Sequence, residues 1–235
     1  MKKLILITTI LITTFLTAQE SLKITYEGIY SYDEHESNMR FPGVFIPSDF
    51  ELIISKQKAE FRYIDKLITQ PEGGDSMVPL TSDDFYFDLD SDTYFVKQEI
   101  FGKTYLVSDT LQKVDWNITK EEKEIAGITT RKATFKTKDG DEITAWYAPK
   151  LPYKIGPETY SGLPGLILQI DVYTETQEKG ILGKHFVAKK VEFLKKDTEI
   201  EFPKGKTISF EEAERIADEH FDKILELNKD GVDKD

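Results

Sequence analysis

The sequence predicts a mainly β protein: a curved antiparallel sheet or half-barrel with one carboxy-terminal amphipathic helix packed on it. Three observations carry this reading. Runs rich in β-branched and aromatic residues alternate with Gly-, Pro- and acid-bearing turns through most of the chain. Residues 209–228 change period, repeating Ala213, Ile216, Ala217, Phe221, Ile224 and Leu225 at helical spacing. Between two strand-like runs, residues 145–172 (AWYAPKLPYKIGPETYSGLPGLILQIDV) concentrate Pro149, Pro152, Pro157 and Pro164 with Gly156, Gly162 and Gly165, a rigid reversal inside a sheet.

The chain opens MKKLILITTILITTFLTA: two lysines, an apolar run and a small residue at Ala18. This is the layout of a secretory signal peptide over residues 1–18, cleaved before Gln19, with residues 19–235 left as one β-rich domain. The apolar run is shorter than the ~20 residues of a membrane-spanning helix. The expectation is export to the periplasm or beyond, with no membrane span. No cysteine occurs, which excludes disulfides, thiolate nucleophiles, thiolate metal sites and a lipidated cysteine. With 43 acidic against 31 basic residues the net charge is −12, a field that disfavours nucleic acid as a partner.

Residues 22–30 (LKITYEGIY) alternate as a first strand, and residues 31–47 read as a surface excursion. Residues 50–64 form a hairpin about Lys56, and residues 69–76 a polar loop. Acids at Asp88, Asp90, Asp92 and Glu99 have the spacing of a calcium loop, but Thr93 stands where that loop needs Gly, so residues 88–99 read as an acidic turn leading into a strand. Gly102 splits a short hairpin, residues 114–119 form a strand containing Trp116, and residues 121–124 (EEKE) read as a charged turn before a reversal at Gly127. A KDG turn at 138–140 joins the next two strands. After the central stretch, Leu166, Leu168, Ile170 and Val172 share one face, and Val187, Val191 and Phe193 are expected to point inward from the last long strand. Ser209 and Glu212 make a capping box for the helix, which is expected to cover the concave face of a sheet of about ten strands.

No nucleophile elbow, phosphate-binding glycine loop or H-E-x-x-H motif occurs, and His35, His185 and His220 are not spaced as paired metal ligands. No catalytic residue, metal site or cofactor is therefore assigned. The candidate binding residues are the aromatics around the prolines, Trp146, Tyr147, Tyr153 and Tyr160, with the turn residues Gly162, Leu163, Pro164 and Gly165. Two readings of the turn follow. Either its glycines serve backbone geometry, or it is a recognition edge with Leu163 as an exposed anchor.

Gly162 to Ile167 spell GLPGLI, the hexapeptide for which the GLPGLI family of exported Bacteroidota proteins is named. Ile125 to Gly127, Lys132-Ala133, Ala145-Trp146-Tyr147, Leu151-Pro152 and Gly156-Pro157 also fit that family, and the chain resembles it over residues 116–171. The family is of unknown function, so the resemblance implies export and a structural fingerprint and carries over no catalytic residue. As an analogy of fold, many strands followed by a covering helix are similar to the half-barrel lipoprotein carriers of the bacterial envelope. Together these features predict a non-catalytic envelope protein that binds an apolar ligand, a peptide or a partner protein in a curved-sheet cavity. The alternative is a secreted or periplasmic hydrolase acting on glycans or peptides through carboxylates such as Asp115 or Asp171.

Overall fold

The computed structural model describes residues 21–33, 43–64, 76–79, 83–175 and 181–230. Twelve strands form one open, curved sheet. In chain order its members are β1 (Ser21–Asp33), β3 (Ser48–Ser55), β4 (Lys58–Ile64), β6 (Phe85–Asp88), β7 (Thr93–Ile100), β8 (Lys103–Thr110), β9 (Asn117–Ile125), β10 (Ile128–Lys136), β11 (Glu142–Ala148), β12 (Leu166–Glu175), β13 (Ile181–Leu194) and β14 (Lys206–Ser209). Across the sheet they lie in the order β14-β8-β7-β6-β4-β3-β1-β13-β12-β11-β10-β9. A separate parallel pair joins β2 (Gly43–Ile46) to β5 (Ser76–Pro79). The signal-peptide segment, residues 34–42 with His35, and the polar loop at 69–75 lie outside the described residues.

Short hairpins build the sheet. Phe101 and Gly102 between β7 and β8, and Ala126 and Gly127 between β9 and β10, have positive φ at both turn positions, the geometry whose twist matches the flanking strands. The acidic stretch after Phe87 is the β6–β7 hairpin: Asp88 Oδ1 accepts from the backbone N–H of Asp90 at 3.1 Å, so the carboxylate organises the turn.

Register places one residue set on the inner face right across the sheet. Leu52 is paired with both Ile24 and Phe61, and Phe61 with Phe85, which continues through Val96 to Val107. In the other direction Ile170 is paired with Phe186 and Ala145, and Ala145 with Ala133. Phe50 stacks on Phe61 at 5.4 Å and meets Phe186 edge-on at 5.1 Å, so aromatic rings fill the centre of this face. Tyr26, with no exposed surface, donates its hydroxyl to the Ile167 carbonyl at 2.7 Å and ties the sheet centre to the end of the Pro-Gly segment.

Three expectations are corrected here. The charged residues 121–124 lie inside β9, where Glu121 pairs with Lys132 and Glu122 with Arg131 across the ladder. In β13 a bulge after Ala188 shifts the alternation: Phe186 and Ala188 face inward with Val191, while Val187 faces out and Phe193 is 56% exposed. The helix α1 (Phe210–Asp230), capped by Ser209 Oγ on the Glu212 N–H at 3.1 Å, covers the inner face, among the described residues, only at its β14 end. There Ala213 and Ile216 pack on Val107 and Ile208, and Phe221 remains 58% exposed.

The chain reaches β14 by crossing the outer face. Residues 195–205 run from β13 past Ser21, whose hydroxyl accepts from the Thr198 N–H, and across β4, β6 and β7. The Phe202 ring settles 5.8 Å from Tyr86 and 5.3 Å from Phe95, with the Lys58 ammonium 5.0 Å from its centre. This crossover makes the β14–β8 pairing parallel in an otherwise antiparallel sheet.

Candidate functional site

Residues 149–165 leave β11 and fold back over the inner face before entering β12. The Leu151 N–H donates to the Ala148 carbonyl and the Leu166 N–H to that of Leu151, closing the base of the loop at 3.1 and 2.9 Å. Ile155 and Ser161 form an isolated bridge higher up, and Leu151, Ile155 and Leu163 are buried in the core. The glycines act differently. Gly165 is packed so closely that a Cβ would overlap the Ala148 carbonyl, whereas Gly162 has φ +89° and a Cβ there would meet only ordinary contacts with Trp116 and Val114.

Above this loop the two ends of the curved sheet leave a cavity of about 260 Å³. Tyr94 comes from β7, Phe135 and Ile143 from β10 and β11, Val114 and Trp116 from the lead-in to β9, and Tyr160 from the loop. The Trp116 indole N–H donates to the Ser161 carbonyl at 2.9 Å, which fixes the ring as a wall. Thr110, Gln112, Thr137, Thr159 and Ser161 supply the polar lining, and among the described residues no carboxylate, lysine or histidine contributes to it. The lining thus combines apolar walls with a few neutral polar groups, the composition common to small-molecule sites.

Beside the cavity, Lys184 pairs with Glu158 at 2.5 Å and lies 5.6 Å from the centre of the Tyr160 ring. Burial alone would lower the Lys184 ammonium, but the charge of Glu158 and the phenol of Tyr160 outweigh it and hold the group above its usual range. Burial likewise pushes the Tyr160 phenol up, so it remains a neutral donor.

The structure disperses the residues that the sequence grouped. Tyr160 lines the cavity, and Tyr153 is half-buried against the core. Trp146 and Tyr147, adjacent in β11, fall on opposite faces: Tyr147 is 2% exposed in the core, and Trp146 lies on the outer face with the Lys123 ammonium 4.2 Å from its ring centre. Gly162 and Pro164 are exposed and Gly165 is buried. Leu163, expected as an exposed anchor if the turn is a recognition edge, is 0% exposed because its side chain fills the core under the loop. Asp115 is exposed at the β9–β10 edge, whereas Asp171 lies on the outer face of β12 against His185. Of the cavity walls that sequence reasoning missed, Phe135 and Ile143 are partners across the β10–β11 hairpin, whereas Tyr94 comes from the distant β7, and no local pattern marks it as their neighbour.

A family model described as a protein of unknown function (Porph_ging) matches residues 136–169, from the end of β10 through β11 and the Pro-Gly loop into β12. No curated protein matches the sequence. Among solved structures, the chain is similar to PNGF-II in two crystal forms, with TM-scores of 0.55 and 0.53 and identities of 15% and 14%. The match covers 84% of this chain and 32% or 33% of PNGF-II, so the chain spans about a third of that protein's length. It is also similar to an uncharacterized conserved protein from Thermus thermophilus, at 8% identity and a TM-score of 0.38, over 82% of this chain and 91% of that one. The likeness to PNGF-II, at these identities, is one of fold.

Proposed function

We propose that the protein is an exported binding protein of the cell envelope that seats an apolar group in the cavity between the two ends of its sheet. The observation that carries this is the lining: aromatic and aliphatic walls, neutral polar groups and, among the described residues, no carboxylate, lysine or histidine. The volume, about 260 Å³, is just below the ~300–1,000 Å³ of sites that enclose a whole small molecule. It suits one apolar side chain or a short acyl tail of a larger partner. Among the described residues no helix is long and apolar enough to cross a membrane.

Export and a single domain over residues 19–235 are part of the same proposal. Cleavage after Ala18 would leave two residues ahead of β1, whose first residue, Ser21, is buried and hydrogen-bonds to Ser55, and this supports the proposed boundary. Membership of the GLPGLI family is supported by the hexapeptide and by the family match that spans it.

Tryptophan emission tests the cavity, because Trp116 is in its wall and Trp146 is on the opposite face. Titration with 1-octanol is expected to give a saturable change that disappears in Trp116→Phe, and Ile143→Trp, which fills the space, should abolish it. A wild-type protein whose emission does not change saturably would overturn the cavity reading. Amino-terminal sequencing of protein recovered from the envelope tests export, with Gln19 as the expected first residue.

A further inference from the structure

The outer face carries a second constellation, unconnected with the cavity. Register sets Ser31 opposite Gly183 and Asp171 opposite His185, so β1, β12 and β13 bring a hydroxyl, an imidazole and a carboxylate into one row. Ser31 Oγ lies 2.8 Å from His185 Nε2, and His185 Nδ1 lies 3.0 Å from Asp171 Oδ1. The second carboxylate oxygen accepts from Gln169 Nε2 at 2.7 Å, and Gln169 Oε1 accepts from Lys123 Nζ at 2.7 Å. Asp171 is thereby held on both sides and keeps the imidazole in one orientation. Gly183 makes the contact possible, since a Cβ there would overlap both Ser31 Oγ and His185 Nε2.

We propose that Ser31, His185 and Asp171 form a hydrolytic site, nucleophile, general base and positioning carboxylate, that cleaves short acyl esters carried on a large substrate. The arrangement meets the geometric requirement for an activated hydroxyl: nucleophile and base within hydrogen-bond reach, and the base oriented by a third group. Ser31 is exposed, and Tyr173, 43% exposed, meets His185 edge-on at 5.3 Å. An exposed serine on an open sheet face is reachable by an acetyl-sized group that projects from a polymer.

In the reaction, Ser31 Oγ attacks the ester carbonyl while its proton passes to His185 Nε2, and Asp171 stabilises the imidazolium through Nδ1–H. The tetrahedral intermediate collapses with cleavage of the ester C–O bond, and the alcohol departs with the proton from His185. Water then attacks the acyl-serine with His185 as base, which releases the carboxylic acid and restores Ser31.

The test uses the full mature chain and a fluorophosphonate probe, read by intact mass and peptide mapping, beside hydrolysis of 4-nitrophenyl acetate. Wild type is expected to take one label, on Ser31. Ser31→Ala should take none, and His185→Gln should label at least ten-fold more slowly. Gly183→Ala keeps all three groups but parts Ser31 from His185, and should lose labelling with an unchanged melt. Asp171→Asn should slow labelling at unchanged thermal midpoint, with partial recovery in Asp171→Glu. A wild-type protein that leaves Ser31 unlabelled, or a His185→Gln variant that labels less than ten-fold more slowly than wild type, overturns the proposal. Because the two sites lie on opposite faces, neither outcome bears on the cavity.

Discussion

Replacing Gly165 with Ala adds a single carbon, and the structure gives the cost. That Cβ would lie 2.7 Å from the Ala148 carbonyl carbon and 3.0 Å from Pro149 Cα, backbone atoms that cannot swing aside as a side-chain end can. Ordinary contact requires the Ala148–Pro149 peptide to retreat. The carbonyl that moves is the acceptor for the Leu151 N–H, so the base of the loop opens with it. One weakened hydrogen bond of about 1 kcal/mol and overpacking strain of roughly 1–3 kcal/mol sum to about 2–4 kcal/mol. For a chain of this size each kcal/mol moves the thermal midpoint by roughly 2–4 °C, so the expected fall is about 4–16 °C. Gly162→Ala is the control. Its obstacle is the positive φ alone, with Trp116 Nε1 no nearer than 3.7 Å, and the expected cost is about 1–2 kcal/mol. Melts by circular dichroism decide the matter. A Gly165→Ala protein as stable as wild type, or one less affected than Gly162→Ala, would refute the close-approach reasoning.

Tyr26→Phe removes the donor to the Ile167 carbonyl in the core; burial pushes this phenol far up, so it is a neutral donor at any working pH, and its loss should cost about 1–3 kcal/mol in chemical denaturation. Glu51, 4% exposed, is held below its ordinary 4.5: burial raises it, but hydrogen bonds and charges from Lys23 and Arg62 outweigh burial. Its contribution is therefore fully present above the ordinary value and lost as pH falls through the depressed one, so Glu51→Gln should be less stable than wild type at neutral pH and should converge with it in acid. Glu60 has the opposite sign, since burial, aided by the charge of Asp84, raises it despite Arg62; Glu60→Gln should melt no lower than wild type at neutral pH, and a lower melt would count against the assignment. Phe202→Ala frees the outer crossover and should cost about 2 kcal/mol, with faster amide exchange in β14 and α1 than in β1 or β12.

Hairpins were legible in the sequence because their signals are local: glycine at 102, 127 and 140 between alternating runs, and a serine cap before a helical stripe. The misreadings have physical causes. EEKE at 121–124 resembles a turn because β9 is an edge strand, and an edge is guarded by charge, the same composition that loops use. The inward face of β13 was assigned by period two, and one bulged residue reverses that period for the rest of the strand. At the candidate sites the gap is topological. Tyr94, Trp116, Phe135 and Tyr160 meet only because the sheet curls, and Ser31 meets His185 only because β1, the first strand, pairs with β13, next to last in the chain.

The outer crossover also orders events in time. Phe202 rests on Tyr86 and Phe95, and β14 needs β8 already in place, so the chain beyond residue 195 has nothing to dock on until the β4–β6–β7–β8 meander exists. During synthesis the last segment therefore condenses onto a finished surface, and under stress it is the first to peel away. Such a segment behaves as a latch: its release uncovers the long β8 edge, and growth of aggregates by strand addition would start there and not at the charged β9 margin.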